Sequence, residues 1–271
     1  MSALEALVLG LVQGLTEFLP ISSSGHLRIV PALLGWDDPG TAFTAVIQLG
    51  TMAAVLVYFR ADLWRIARAW LGELRVPYAR RSTDANLGWF IVLGTIPISI
   101  FGIAFSSQIE SGGRDLYLIG STLIIFSLAM LIAERVGSRR RELSEMDGRD
   151  GLFVGLAQAL ALVPGVSRSG ATISAGLLRG FDRAAAARYS FLLSVPAVVL
   201  SGLFELKDVG GEGGAAVAPT IVATLVAFVT GYIAIAWLLR YLATHTLNAF
   251  VAYRIALGAL VIALTAGGAI S

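Results

Sequence analysis

The chain has 271 residues, 56% of them hydrophobic and 14% charged, whereas soluble domains carry about a quarter charged residues. A mean hydropathy of +0.79 excludes an ordinary soluble globular protein. The balance of 20 basic against 18 acidic residues points to no nucleic-acid partner, and the absence of cysteine removes disulfides, thiolate metal sites and cysteine nucleophiles.

A transmembrane helix needs about 20 mostly apolar residues. Apolar stretches of about that length cover 41–59, 89–106, 116–133, 184–204, 217–239 and 249–268, the last interrupted by Arg254. These long runs lack period-two alternation, so the spans are expected as helices rather than barrel strands. Two further stretches, 4–35 and 151–182, are broken at Pro20 and at Pro164-Gly165, each break followed by serines and a glycine. Arginines crowd 60–88 and 134–149, whereas the connections 107–115 and 205–216 hold one basic residue each, Arg114 and Lys207. The positive-inside rule therefore makes the two arginine-rich segments cytoplasmic loops. The start, Met1-Ser-Ala-Leu-Glu, lacks the basic region of a cleavable signal peptide and is expected as mature sequence.

With six full spans, each broken stretch must enter and leave on one side, the first from outside and the second from inside. The expected fold is an all-α polytopic membrane protein forming a single membrane domain over 1–271. It has about six full transmembrane helices plus two re-entrant helix hairpins.

An ungapped shift that sets Ser22 on Ser167 also aligns Gly10-Leu-Val-Gln13-Gly-Leu15 with Gly155-Leu-Ala-Gln158-Ala-Leu160. Leu33-Leu-Gly-Trp-Asp37 then falls on Leu178-Arg-Gly-Phe-Asp182. Such a match marks a duplication, with repeat 1 over about 4–133 and repeat 2 over about 149–268. The opposite orientation of the copies makes it an inverted-topology repeat, whose site is expected near the midplane where the broken helices meet.

Ionisable groups at membrane depth are functional candidates. In the first hairpin Gln13 and Glu17 share a helix face, and Ser22, Ser23, Ser24, Gly25 and His26 follow the break. The second carries Ser167, Arg168, Ser169, Gly170 and Thr172. Arginine's planar fork matches phosphate oxygens, and a Ser-Gly turn at a helix start offers hydroxyl and N–H donors. The expected ligand is a phosphate group. His26 would carry protons, and Glu17 with Gln13 could hold a hard divalent cation, which completes the parts for phosphoryl transfer to water. Ser22, Ser24, Ser167 and Ser169 also read individually as caps and close-packing residues. Ser23 stands apart because its repeat mate is Arg168. His245 reads as solvated, and Arg254 reads equally as a packing or a site residue.

The segments Gln13-Gly-Leu-Thr-Glu17-Phe-Leu-Pro-Ile-Ser-Ser-Ser-Gly-His26 and Pro164-Gly-Val-Ser-Arg-Ser-Gly-Ala-Thr172 resemble the two signature motifs of the undecaprenyl-pyrophosphate phosphatases, the bacitracin-resistance family. Val46-Ile-Gln-Leu-Gly50 and Tyr253-Arg254 are also similar to family segments. The resemblance covers essentially the whole chain. It implies a multi-pass enzyme of the bacterial plasma membrane that cleaves undecaprenyl pyrophosphate to undecaprenyl phosphate and inorganic phosphate. That reaction recycles the lipid carrier of peptidoglycan synthesis.

On this reading Glu17, Ser23, His26 and Arg168 are catalytic, and Ser22, Ser24, Gly25, Ser167, Ser169, Gly170 and Thr172 bind the pyrophosphate. Gln13 and Glu17 hold Mg²⁺ or Ca²⁺. Ser23 attacks with His26 as its base, or His26 itself attacks and becomes phosphorylated. The site opens to the outer, periplasmic side. The expected partners are the lipid pyrophosphate and the bilayer, with a homodimer compatible and no nucleic acid. A transporter or flippase of polyprenyl phosphate is the competing class, because inverted repeats with broken helices also bind carried anions.

Overall fold

The computed structural model describes residues 1–75, 82–106, 114–205 and 217–270. Arg80, Arg81, Lys207 and most of the connections 107–115 and 205–216 lie outside them. Among the described residues there are eleven α-helices: α1 (Ala3–Phe18), α2 (Ser23–Leu34), α3 (Gly40–Tyr58), α4 (Arg60–Arg75), α5 (Thr83–Ala104), α6 (Leu116–Val136), α7 (Gly148–Ala159), α8 (Arg168–Leu178), α9 (Arg183–Glu205), α10 (Val217–Thr244) and α11 (Asn248–Ala266).

Five of them, α5, α6, α9, α10 and α11, are long and apolar enough to cross a membrane. The expected span 41–59 is α3, which continues into α4 through a bend of 74°, so the pair is the candidate sixth. A polytopic all-helical membrane protein is therefore what the chain forms. Its outer faces are apolar, as a bilayer requires. Ile221, Leu225, Val229 and Ile233 recur every fourth residue along one exposed stripe of α10.

One expectation is corrected. The arginine-rich segment after residue 60 is not a loop throughout, because Arg60–Arg75 folds as α4. Its inner face holds buried Ile66 and half-buried Trp70, whose ring meets Trp89 of α5 edge-on at 5.4 Å. Charge fixes its position from both sides, with Asp62 accepting from Arg188 at 2.6 Å and Asp84 from Arg65 at 2.8 Å.

Backbone-close seams hold the helices together. At Gly155 of α7 an added Cβ would lie 2.5 Å from the Gly94 Cα of α5, and at Gly10 of α1 it would lie 2.4 Å from the Ala223 carbonyl oxygen of α10. Gly258 of α11 sits equally close to the Gly120 carbonyl of α6. In lipid, where apolar burial gives little drive for helix association, such approaches let dispersion and weak polar contacts do the work. The main apolar cluster lies inward of these seams, around Phe18, Phe59, Ile173, Leu177, Phe191 and Leu238.

At the arginine-rich end two buried carboxylates act as anchors. Glu134 receives Arg183 and Arg139 and the Leu247 N–H. Asp150 receives Arg141 at 2.7 Å, Arg179 at 2.5 Å and the Asp147 N–H at 3.0 Å from its own turn.

Candidate active site

The two breaks seen in the sequence have one geometry. Helix α1 stops at Leu19-Pro20, and α2 starts after Ser22, whose φ and ψ are 77° and 97°. Helix α7 ends in a short 3₁₀ turn, and α8 starts after Ser167 at 73° and 114°. A positive φ is sparsely populated for a residue with a Cβ. Serine is held there because its hydroxyl caps the helix that follows. Ser22 Oγ accepts from the Gly25 N–H at 3.4 Å, and Ser167 Oγ accepts from the Gly170 N–H at 3.1 Å. The next serines mirror each other too, with Ser22 and Ser24 hydroxyls 3.3 Å apart and Ser167 and Ser169 hydroxyls 3.2 Å apart.

This arrangement makes Ser23 and Arg168 the first residues of α2 and α8, and both reach Glu17. The Ser23 hydroxyl donates to Glu17 Oε2 at 2.6 Å, and an Arg168 N–H donates to Glu17 Oε1. Gln13, one turn back on α1, donates to Glu17 Oε2 at 3.2 Å and to Thr51 of α3 at 3.3 Å. The Glu17 side chain is 7% exposed and that of Arg168 16%. A narrow crevice lined by Glu17, Thr51, Arg168, Ser194 and apolar neighbours reaches the pair.

Thr172 donates to the Arg168 carbonyl at 2.8 Å, and its hydroxyl lies 2.6 Å from that of Ser190. Ser169 donates to the Leu19 carbonyl at 3.1 Å, fastening the second hairpin to the first.

His26 is placed differently from its expected role as the base for Ser23. Its Nδ1 lies 2.7 Å from the Ser22 carbonyl oxygen and its Nε2 lies 2.7 Å from the Tyr253 hydroxyl. A carbonyl only accepts, so in the neutral ring Nδ1 carries the proton and Nε2 accepts from Tyr253. The rings stack with centroids 5.6 Å apart. Both nitrogens are therefore engaged with Ser22 and Tyr253, and the acceptor beside the Ser23 hydroxyl is Glu17 Oε2. The reason is the turn at Leu19–Ser22, which swings the start of α2 back over the end of α1.

Arg254 is the residue that sequence reasoning weighted too lightly. It is fully buried, and its guanidinium donates to the Pro20 carbonyl at 3.3 Å, the Gly165 carbonyl at 3.0 Å, the Val166 carbonyl at 3.1 Å and Ser127 Oγ at 2.9 Å. Pro20 belongs to the first break, and Gly165 and Val166 to the second. One cation thus satisfies carbonyls that both broken helices leave open. Thr51, Ser127, Ser190 and Tyr253 were also not singled out as site residues. The signal available was polarity inside apolar spans. His245 is exposed and stacks on Tyr241 at 4.4 Å, away from the site.

As a metal site the chain alone offers little. Among the described residues no group of three or more His, Cys, Asp or Glu side chains converges. One carboxylate and one amide, Glu17 and Gln13, fit an ion that takes most of its ligands from phosphate oxygens and water, as Mg²⁺ commonly does.

Comparison with known proteins agrees with these motifs. The model of the family described as Bacitracin resistance protein BacA matches residues 6–260. The chain belongs to the BacA family. It is 58% identical to an undecaprenyl-diphosphatase of a Nocardioides species over 99% of this chain and 98% of that one. Similar proteins of the same name occur in Thermobifida fusca, 54% identical over 100% of this chain and 93% of that one, and in Mycolicibacterium smegmatis, 52% identical over 100% and 99%. The segments 13–26 and 164–172 both fall within the matched region, and they meet at Glu17.

Proposed function

We propose that this chain is an undecaprenyl-diphosphatase that hydrolyses undecaprenyl diphosphate to undecaprenyl phosphate and inorganic phosphate, with Ser23 as nucleophile. The observation that carries the reading is the Glu17 carboxylate holding the Ser23 hydroxyl on one oxygen and the Arg168 guanidinium near the other. The name of these relatives supplies the reaction. The product is the lipid carrier used again in cell-wall synthesis, and removing its pyrophosphate form accounts for the bacitracin resistance in the family's description.

Glu17 takes the proton from Ser23 Oγ as that oxygen bonds to the terminal phosphorus. The bond from phosphorus to the bridging oxygen breaks, and undecaprenyl phosphate leaves. Water then cleaves the seryl phosphate and releases inorganic phosphate, with Glu17 returning the proton to Ser23. Arg168 and the N–H groups at the starts of α2 and α8 bind the phosphate oxygens where charge is densest. Ser22, Ser24, Gly25, Ser167, Ser169, Gly170 and Thr172 keep those helix starts in place. His26 acts as a positioning residue, holding the Ser22 carbonyl and so the orientation of Ser23. A divalent cation, Mg²⁺ or Ca²⁺, held by Glu17 and Gln13 offsets phosphate charge when bound.

The two hairpins are read as halves of an inverted repeat within one membrane domain, and the repeated serine geometry supports that reading. The protein sits in the bacterial plasma membrane with this site open to the outer side. The supporting argument is the arginine excess of 60–75 and 134–149, which marks those segments as cytoplasmic.

The experiment is phosphate release from undecaprenyl diphosphate by detergent-purified protein, with and without chelator, comparing wild type with Arg168→Ala at equal folded amounts. Release that is lost in the variant supports the reading. A folded wild type that releases none with either cation would favour carriage of the lipid phosphate instead. Because the chain has no native cysteine, Ser23→Cys can be labelled cleanly. Reaction only from the cytoplasmic side would refute the outward opening.

A further inference from the structure

The cleft at Glu17 has one polar end and one apolar wall. Glu17, Arg168 and Ser194 form the first, and Met52, Val55 and Val198 form the second. Met52 and Val55 belong to α3 and Val198 to α9, so the cleft follows the seam between these two helices.

Two other directions out of the site hold packed groups. Toward α10, Gly10 and Gly14 of α1 lie against backbone atoms of Ala223, Ala227 and Gly231, leaving no room for even a Cβ. Toward α11 stand fully buried Arg254 and buried His26, the latter capped by Tyr253, whose ring is half exposed. In the α3–α9 seam the crevice is lined by the side chains of Met52, Val55 and Val198, and side chains can move. Met52 has three rotatable side-chain bonds. Pro196 lies within α9 between Ser194 and Val198, and it removes one helical hydrogen bond at that level.

A polyprenyl diphosphate is a dense anion on an apolar chain, so the wall that begins beside the anion site must accept the first isoprene units. We propose that these units lie in the α3–α9 seam, against Met52, Val55 and Val198. The inference rests on the phosphatase reading and adds the route by which the lipid tail leaves the site.

The test is photolabelling of the full-length wild-type protein in detergent with a polyprenyl diphosphate that carries a diazirine on its first isoprene unit. It is paired with kinetics of Val198→Trp and of Leu225→Trp, the latter on the exposed stripe of α10. Label is expected on the α3 or α9 peptides containing Met52, Val55 or Val198. Val198→Trp is expected to raise KM for the C55 substrate about tenfold or more with kcat little changed, and Leu225→Trp to change neither. If Val198→Trp does not fold, Val198→Ala and the wild-type labelling pattern still decide the matter. Label confined to α10 or α11 would overturn the route while leaving the phosphatase intact. A wild type that takes label in the seam but releases no phosphate would overturn the phosphatase reading and keep the route.

Discussion

Ser23 Oγ lies 2.6 Å from Glu17 Oε2, although the two residues stand on opposite sides of the Leu19–Ser22 break. A hydroxyl in that position has its proton acceptor already in place. The carboxylate is in turn paired with Arg168, which comes from the other break. Glu17→Gln keeps the shape and removes the acceptor. Its kcat for undecaprenyl diphosphate is expected to fall by about 10³-fold, measured as initial phosphate release. A variant within tenfold of wild type would take the base role away from Glu17.

Arg254 ties the two breaks by donating to Pro20, Gly165 and Val166. Arg254→Met leaves those buried carbonyls and Ser127 without their donor, and should destabilise the fold by about 3–5 kcal/mol. Arg254→Lys should recover only part of that, since an ammonium cannot span the same four acceptors. Thermal unfolding in one detergent measures both. Unchanged midpoints would mean that Arg254 is not the tie between the hairpins.

Tyr253→Phe deletes the single donor to His26 Nε2 but keeps the ring stack. A lost neutral hydrogen bond of ~1 kcal/mol corresponds to about a fivefold fall in kcat, with KM unaffected. If KM rises and kcat holds, Tyr253 is touching substrate rather than positioning His26.

The Asp150 anchor gives a pH dependence. Burial alone would raise its carboxyl, but the Arg141 and Arg179 guanidiniums and the Asp147 N–H together hold it below its ordinary value. With the folded value depressed, its contribution is complete above the unfolded value near 4. It is lost as pH falls through the lower folded value. Asp150→Asn should cost about 2 kcal/mol at neutral pH and flatten the fall in unfolding temperature between about pH 5 and 3. An acid limb equally steep in the variant would show that another carboxylate controls it.

Close packing of α5 on α7 is tested at Gly155, where a Cβ meets the backbone of Gly94. Gly155→Val should cost about 2 kcal/mol or more. Gly102→Ala, whose Cβ would sit 3.8 Å from Leu162, should be nearly silent. Equal midpoints for the two variants would mean that the seam opens freely.

Much of this arrangement is written locally in the chain. Proline and glycine announce both breaks, and the Ser-x-Ser-Gly pattern that follows each is enough to anticipate two helix starts of one kind, because a serine cap acts over three residues. The partner of Ser23 was not legible. Whether Glu17 or His26 faces that hydroxyl depends on how tightly four residues turn, and spacing does not encode the angle. What Tyr253 and Arg254 bind was hidden for a different reason. Their partners lie 227 and 234 residues away, so nothing near them in sequence shows what they bind. Helix α4 was missed because its many arginines read as a loop, while buried Ile66 and half-buried Trp70 form the face packed toward α5.

The most direct measurement is to trap the phosphorylated enzyme. Undecaprenyl diphosphate labelled in its terminal phosphate is mixed with wild type and with Ser23→Ala, quenched early, digested and sequenced. The expected result is acid-stable, base-labile label on the peptide carrying Ser23, and phosphate release abolished in the alanine variant. Acid-labile label on His26, or undiminished release by Ser23→Ala, would contradict the assignment of Ser23 as nucleophile.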